Sequence, residues 1–188
     1  MDTSLDQVAV EIRPSVVQVL PGSSGGAGVV LSRGGELVVM TNAHVARGAP
    51  GDPVRIVSHR RMTYQATIER TDGDRDLTLL ALVSASAGEL SPAALGDTAT
   101  TRPGQLVLAI GYPFGLTNAV TAGIVHSVGR SWIRADIMLA PGNSGGPLLD
   151  IEGRVIGINT MVCGGLALAV PVPDIRALLQ AGSEAITA

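Results

Sequence analysis

A serine flanked by glycines sits in the stretch Ala140-Pro-Gly-Asn-Ser-Gly-Gly-Pro-Leu148. Glycine tolerates positive φ and lets backbone approach a ligand closely, where side chains would block it. The backbone N–H groups of Gly142 and Ser144 are thereby free to converge on one spot. That spot suits the oxyanion of an acyl-transfer intermediate. Ser144 is therefore a candidate nucleophile, with Gly142, Asn143 and Ser144 as the candidate oxyanion loop. A glycine-rich surface turn that happens to hold a serine is the plainer alternative. A base and an orienting acid must decide between them.

Gly142-x-Ser144-x-Gly146 also fits the nucleophile elbow of α/β-hydrolases, in which the base follows the serine along the chain. The three histidines, His44, His59 and His126, all precede Ser144, which excludes the elbow. The order His, Asp, Ser remains open. His44, in Thr41-Asn-Ala-His-Val45, stands just after an apolar run, where an imidazole could reach a hydroxyl. His59 lies beside Arg60 and Arg61 in a polar turn, and His126 alternates with apolar neighbours as an outward strand residue would. For the acid, Asp76 marks the point where a polar loop enters the buried run Leu77-Thr-Leu-Leu80. A carboxylate there could bond a histidine N–H and fix its tautomer. Asp72 and Asp74 lie within the same polar loop, where turn chemistry explains them.

The chain has 188 residues, a net charge of −3 and no Lys/Arg-rich run, which argues against a nucleic-acid partner. Hydrophobic residues make up 46% but aromatic ones only 2%, so Val, Leu, Ile and Ala must build the core. The 24 glycines and 11 prolines punctuate the chain into short strands. With Cys163 the only cysteine, no internal disulfide can form. The acidic start lacks the apolar core of a signal peptide, and no run is long and apolar enough to cross a membrane. Metal and cofactor are not expected, since the histidines lack ligand spacing.

Residues 4–13 place Leu5, Val8 and Ile12 on one helical face, with Ser4 as N-cap and Pro14 as the stop. Six β-like runs follow: Val16 to Leu20, Ala27 to Ser32, Glu36 to Thr41, Val54 to Ser58, Thr63 to Glu69 and Leu77 to Val83. Residues 85–104 are rich in Ser, Ala, Pro, Gly and Thr and read as a connector. A second six runs Gln105 to Ile110, Ala119 to Ser127, Trp132 to Leu139, Pro147 to Asp150, Arg154 to Thr160 and Leu166 to Val170. Asp174 then reads as the N-cap of a short helix carrying Ile175, Leu178 and Leu179. The pattern predicts an all-β protein with two six-stranded antiparallel β-barrels and short N- and C-terminal helices. One barrel spans about 14–84, the other 105–172, and the last helix 173–188. His44 and Asp76 would then stand on the first barrel and Ser144 on the second.

In this order the motifs resemble the HtrA/Deg branch of the trypsin-like, chymotrypsin-fold serine proteases. They are Pro14-Ser-Val-Val-Gln-Val, Thr41-Asn-Ala-His-Val45, Asp76-Leu-Thr-Leu-Leu-Ala-Leu, Leu95-Gly-Asp and Pro103-Gly-Gln. The series continues with Ala109-Ile-Gly-Tyr-Pro-Phe-Gly-Leu116, Val120-Thr-Ala-Gly-Ile-Val125, Pro141-Gly-Asn-Ser-Gly-Gly-Pro-Leu148 and Gly157-Ile-Asn159. The resemblance implies an endopeptidase for unfolded or flexible polypeptides, of the protein quality-control type, with His44, Asp76 and Ser144 as its triad. It also implies an extracytoplasmic or periplasmic setting and an S1 pocket walled by Leu139, Val162 and Cys163, with Asn159 beside them. Those walls are apolar or nearly so, which implies cleavage after small or medium aliphatic residues. Substrate backbone would pair with the 156–160 segment.

Several family features are missing from the sequence. The 188 residues read as a protease domain with no PDZ domain expected, only Ser131-Trp132 stand between Arg130 and Ile133 where a sensor loop is common, and the loop after Asn159 is short. Family trimers lock through N-terminal aromatic residues that this segment lacks, which argues against a trimer. A catalytically silent protease-fold chaperone or binding module is the alternative function.

Overall fold

Runs of Val, Ile and Leu between Gly- and Pro-containing turns bury apolar faces only by pairing edge to edge, and a sheet closed on itself leaves no edge unpaired. In the computed structural model, which describes residues 4–22, 25–83, 88–113, 116 and 119–181, this happens twice. Strands β1 (Val16–Leu20), β2 (Gly26–Arg33), β3 (Glu36–Thr41), β4 (Pro53–Val57), β5 (Thr63–Asp72) and β6 (Leu77–Leu82) form one closed barrel in the order β1-β2-β3-β6-β5-β4. The second barrel contains β7 (Leu106–Gly111), β8 (Ala119–Val128), β9 (Ile133–Asp136), β10 (Pro147–Leu149), β11 (Val155–Cys163) and β12 (Leu166–Pro171). Its order is β10-β11-β12-β9-β8-β7, and all pairs between these strands are antiparallel. Helix α1 (Leu5–Ile12) precedes the first barrel and α2 (Val172–Gln180) follows the second.

The period-two alternation of strands sorts neighbouring side chains into different cores. Val17, Val30, Val39 and Leu80 fill the first barrel. Their neighbours Val16, Val29, Met40 and Leu79 point out of it into a second core shared with Leu108, Ile110 and Leu149 of the other barrel. Val8 and Ile12 of α1 and Ile175 and Leu178 of α2 pack into that same shared core. The two barrels and both helices are thus joined by one apolar cluster.

Several boundaries differ from the sequence expectation, each for a local reason. Helix α2 begins at Val172 with Pro171 as N-cap and Pro173 in its first turn, where a missing N–H costs nothing. Asp174 is therefore a first-turn acid and not the cap. Thr98 anchors this helix start, its Oγ1 accepting from Val172 N at 3.1 Å and donating to Ile156 O at 3.2 Å. Strand β9 is shorter than expected because pairing with β12 stops at Ala135 and with β8 at Asp136. Strand β11 is longer, its pairing with β12 running on to Cys163. Residues 85–87 of the expected connector, Phe114 and Gly115 of the 109–116 motif, and 182–188 of the expected last helix lie outside the described residues.

Tyr112 ties the barrels together through its hydroxyl, which donates to Val16 O at 3.0 Å from a buried ring. Burial pushes the Tyr112 phenol well above its ordinary range, so it stays a neutral donor. Tyr112→Phe is expected to lower stability by about 1 kcal/mol. Urea denaturation of both proteins measures it, and an unchanged midpoint would show the bond to be idle.

Candidate active site

The candidate base is presented by a single helical turn after β3. Val45 N and Ala46 N donate to Asn42 O at 3.2 and 3.0 Å, burying Val45 and Ala46 while His44 projects outward. Opposite it, Asp76 ends the turn between β5 and β6, where Asp72 pairs with Leu77. Its φ of +54° is left-handed, a conformation that costs an L-residue about 1–2 kcal/mol. The surroundings hold it there. Ala43 N and Asn42 Nδ2 both donate to Asp76 O, at 3.2 and 2.8 Å. His44 N donates to Asp76 Oδ1 at 2.9 Å, and His44 Nδ1 lies 2.7 Å from Oδ2.

Both oxygens of the Asp76 carboxylate are therefore taken by the same residue. An ionised carboxylate only accepts, so Nδ1 carries the proton and Nε2 is left as the basic atom. The other acids of this loop do not reach His44: Asp72 is bound by Arg75, and Asp74 lies toward the far side of the turn. His126 is exposed beside Ser127, and the buried Nδ1 of His59 has no partner among the described residues.

The serine loop is built on close backbone packing. Asn143 N donates to Ala140 O at 3.0 Å, closing a turn with Pro141 second and Gly142 third. Gly142 has φ +107°, which makes this a type II turn and sets the orientation of the Pro141–Gly142 peptide. Neither Gly142 N–H nor Ser144 N–H has a hydrogen-bond partner among the described residues. Asn143 is buried, its Oδ1 packed against Gly111 and without a partner among the described residues. The loop docks on the first barrel, with Ala27 N donating to Ser144 O at 2.8 Å. Gly25, His44, Val45, Pro141, Gly142 and Ser144 line one open cavity of about 220 Å³. In this conformation Ser144 Oγ donates to Thr160 O at 3.0 Å and not to His44.

Two further residues join these parts, and the sequence pattern gave neither side chain a role. Asn42 Nδ2, besides holding Asp76 O, donates to Thr160 Oγ1 on the second barrel at 3.0 Å. Thr160 thus receives the serine hydroxyl on its carbonyl and Asn42 on its side chain, and both residues are buried. A polar Asn at the end of the apolar β3 run was the available signal.

The four residues expected around S1 do not line the cavity beside Ser144. Leu139 is half-buried against the second barrel's core, and Val162 and Cys163 are exposed at the end of β11. Asn159 is fully buried. Its Nδ2 donates to Pro147 O, and its backbone N and O bond Gly146 O and Gly145 N. The expected substrate strand also shifts. Gly157 and Ile158 are paired on both sides, whereas Met161 to Cys163 pair with β12 alone among the described residues and Thr160 stands at the bulge between Asn159 and Met161. The free edge of β11 thus begins at Thr160.

A family model, the trypsin-like peptidase domain, matches residues 26–158. The chain belongs to this family. Among curated relatives it is 33% identical over 175 residues to the serine protease HTRA2, mitochondrial, of Drosophila erecta, covering 86% of this chain and 40% of that protein. It is 40% identical over 163 residues to a probable periplasmic serine endoprotease DegP-like of Marinomonas sp. (strain MWYL1), covering 79% of this chain and 33% of that protein. The chain therefore spans well under half the length of these relatives. A solved structure, the HtrA-type protease AlgW with decapeptide, superposes with a TM-score of 0.84 at 27% identity, covering 95% of this chain and 67% of that one. The HtrA-like, trypsin-fold resemblance read from the motifs is borne out.

The glycines of this trypsin-like domain differ sharply in what they tolerate. A Cβ on Gly145, at φ +84°, would collide with Ala27 O and Thr41 Oγ1, whereas one on Gly34, at φ +59°, meets nothing within 4 Å. Gly34→Ala should cost about 1 kcal/mol from backbone strain alone. Gly145→Ala adds a steric clash and should cost about 3 kcal/mol or more. Thermal or urea denaturation of the two variants checks the difference; equal losses would mean the loop does not dock as described.

Proposed function

We propose that this domain is a serine endopeptidase that hydrolyses unfolded or flexible polypeptides, with Ser144 as nucleophile, His44 as base and Asp76 as orienting acid. One observation carries the reading: Asp76 holds both His44 N and Nδ1, and the imidazole and Ser144 line one cavity. In the reaction Ser144 Oγ rotates from Thr160 O to His44 Nε2 and attacks the scissile carbonyl as Nε2 takes its proton. The carbonyl oxygen becomes an oxyanion, received by the N–H groups of Gly142 and Ser144. His44 then passes the proton to the leaving amine. Water repeats the cycle on the acyl-enzyme and frees Ser144. Asp76 keeps the imidazole in the productive tautomer and supports its charge while the proton is held.

Substrate strand pairing along the free edge from Thr160 to Cys163 would place its side chains between Leu139 and Val162. We propose cleavage after small or medium aliphatic residues on that basis, since no acid stands there to draw Lys or Arg. A quality-control role and an extracytoplasmic setting are proposed from the HtrA2 and DegP-like relatives.

Digestion of an unfolded casein-like protein by the wild type and by Ser144→Ala tests the chemistry. Loss of the serine should lower turnover by about a million-fold. Equal cutting by both proteins would remove Ser144 from the mechanism, and binding without cutting by the wild type would make the domain a silent binding module. Mass spectrometry of the fragments tests specificity. Cleavage sites should cluster after Val, Ala and Leu, and a majority after Lys or Arg would sink the pocket assignment.

A further inference from the structure

The turn that carries Asp76 is held, on the side away from His44, by one side chain. Arg75 N donates to Asp72 Oδ1 at 3.1 Å and Arg75 Nη1 to Asp72 Oδ2 at 2.7 Å, so Asp72 is engaged through both oxygens within the turn. The Nε of the same guanidinium donates to Asp174 Oδ1 at 2.8 Å, in the first turn of α2 and 99 residues along the chain. A planar fork of donors allows one arginine to bridge two acids; a lysine ammonium has no such geometry. Burial by itself would raise the Asp72 carboxyl, but the hydrogen bonds from Arg75 outweigh it and hold the group below its ordinary value. Asp72 in turn raises the guanidinium further.

The bridge closes one wall of a cavity of about 270 Å³, lined also by Asp74, Arg130, Ser131 and Trp132. The charged groups facing Arg75 are therefore Asp72, Asp74 and Asp174, with Arg130 as the one competing cation among the described lining residues. Next along the chain comes Asp76, whose φ of +54° is the one feature of this turn that an L-residue resists.

We propose that Arg75 is a positioning residue: by tying the 72–76 turn to α2 it keeps Asp76 in its left-handed conformation and its carboxylate on His44. This rests on the reading of His44, Asp76 and Ser144 as a triad. Without the bridge the turn loses its hydrogen bond to α2 and keeps within itself the bond from the residue 75 backbone N–H to Asp72. Asp76 then relaxes toward an ordinary φ and swings its oxygens away from His44 N and Nδ1. An ion pair on a half-exposed side chain contributes little to global stability. The effect is therefore read in turnover, with the unfolding midpoint unmoved.

The test uses the full chain as wild type, Arg75→Ala, Arg75→Lys and Asp174→Asn. Four quantities are measured: kcat and KM on unfolded casein, the rate at which a serine-directed phosphonate modifies Ser144, the urea midpoint, and the low-field proton NMR signal of His44 Nδ1–H. Arg75→Ala and Asp174→Asn should lower kcat and the phosphonate rate about tenfold, the scale of one lost charged hydrogen bond, with KM unchanged. Both should weaken the Nδ1–H signal at an unmoved midpoint. Arg75→Lys, able to reach one acid but not both, should fall between. Raising salt to 1 M, where screening reaches about 3 Å, should bring wild-type kcat toward that of Arg75→Ala and leave the variant itself unchanged.

Variants with wild-type kcat and an intact Nδ1–H signal would overturn the proposal. So would a loss of activity that only tracks a lowered midpoint, which marks a merely structural bridge. A wild type whose Ser144 does not react with the phosphonate would fail the triad reading instead, a result these variants cannot mimic.

Discussion

Two stretches of main chain from different barrels meet in this protein with no side chain between them. Ala27 N of β2 donates to Ser144 O at 2.8 Å, and a Cβ on Gly26 would lie 2.6 Å from that same oxygen. Contact at this distance leaves neither barrel freedom to slide, because an interior packed like a crystal has no slack to absorb a shift. The other inter-barrel ties follow the same geometry: Asn42 reaches Thr160, and Tyr112 reaches Val16. The histidine and aspartate belong to one barrel and the serine to the other. Their mutual placement is therefore decided by backbone contact and not by long, adaptable side chains.

That rigidity is obtained without a disulfide and almost without aromatic rings. The core is made of Val, Ile, Leu and Ala, whose stiff or short side chains fill barrels of this size with little rotamer entropy to lose. The shared cluster draws in both helices, so the first and last elements among the described residues pack into the seam between the barrels.

Much of this was legible in the amino-acid sequence because it depends on local rules. Strand runs show in the Gly and Pro punctuation, and the catalytic candidates show in the order His44, Asp76, Ser144. What was not legible depends on long-range pairing. The free edge of β11 starts at Thr160 because β10 begins only at Pro147, opposite Ile158, and the loop before it bonds no further than Asn159, which no local pattern around 156–160 reports. Asn159 resembled a pocket residue by position, yet pairing on both sides turns its side chain inward to Pro147 O. Asn42 and Thr160 lie 118 residues apart, so their contact has no signature in either neighbourhood. The start of α2 differs because Asp174 has the chemistry of an N-cap, yet Pro171 holds that place and the first helical turn accepts Pro173 without cost.

The left-handed backbone of Asp76 carries a consequence for how such a sequence drifts. Its place at the end of a short hairpin turn is one where turn chemistry favours glycine or asparagine, and aspartate is kept there against that preference. A lineage selected for robustness alone, or a consensus redesign aimed at melting temperature, would meet a downhill substitution at this position. The fold would survive it and the chemistry would not. Descendants of this domain that turn to binding or scaffolding should lose this carboxylate early, while their barrels stay intact.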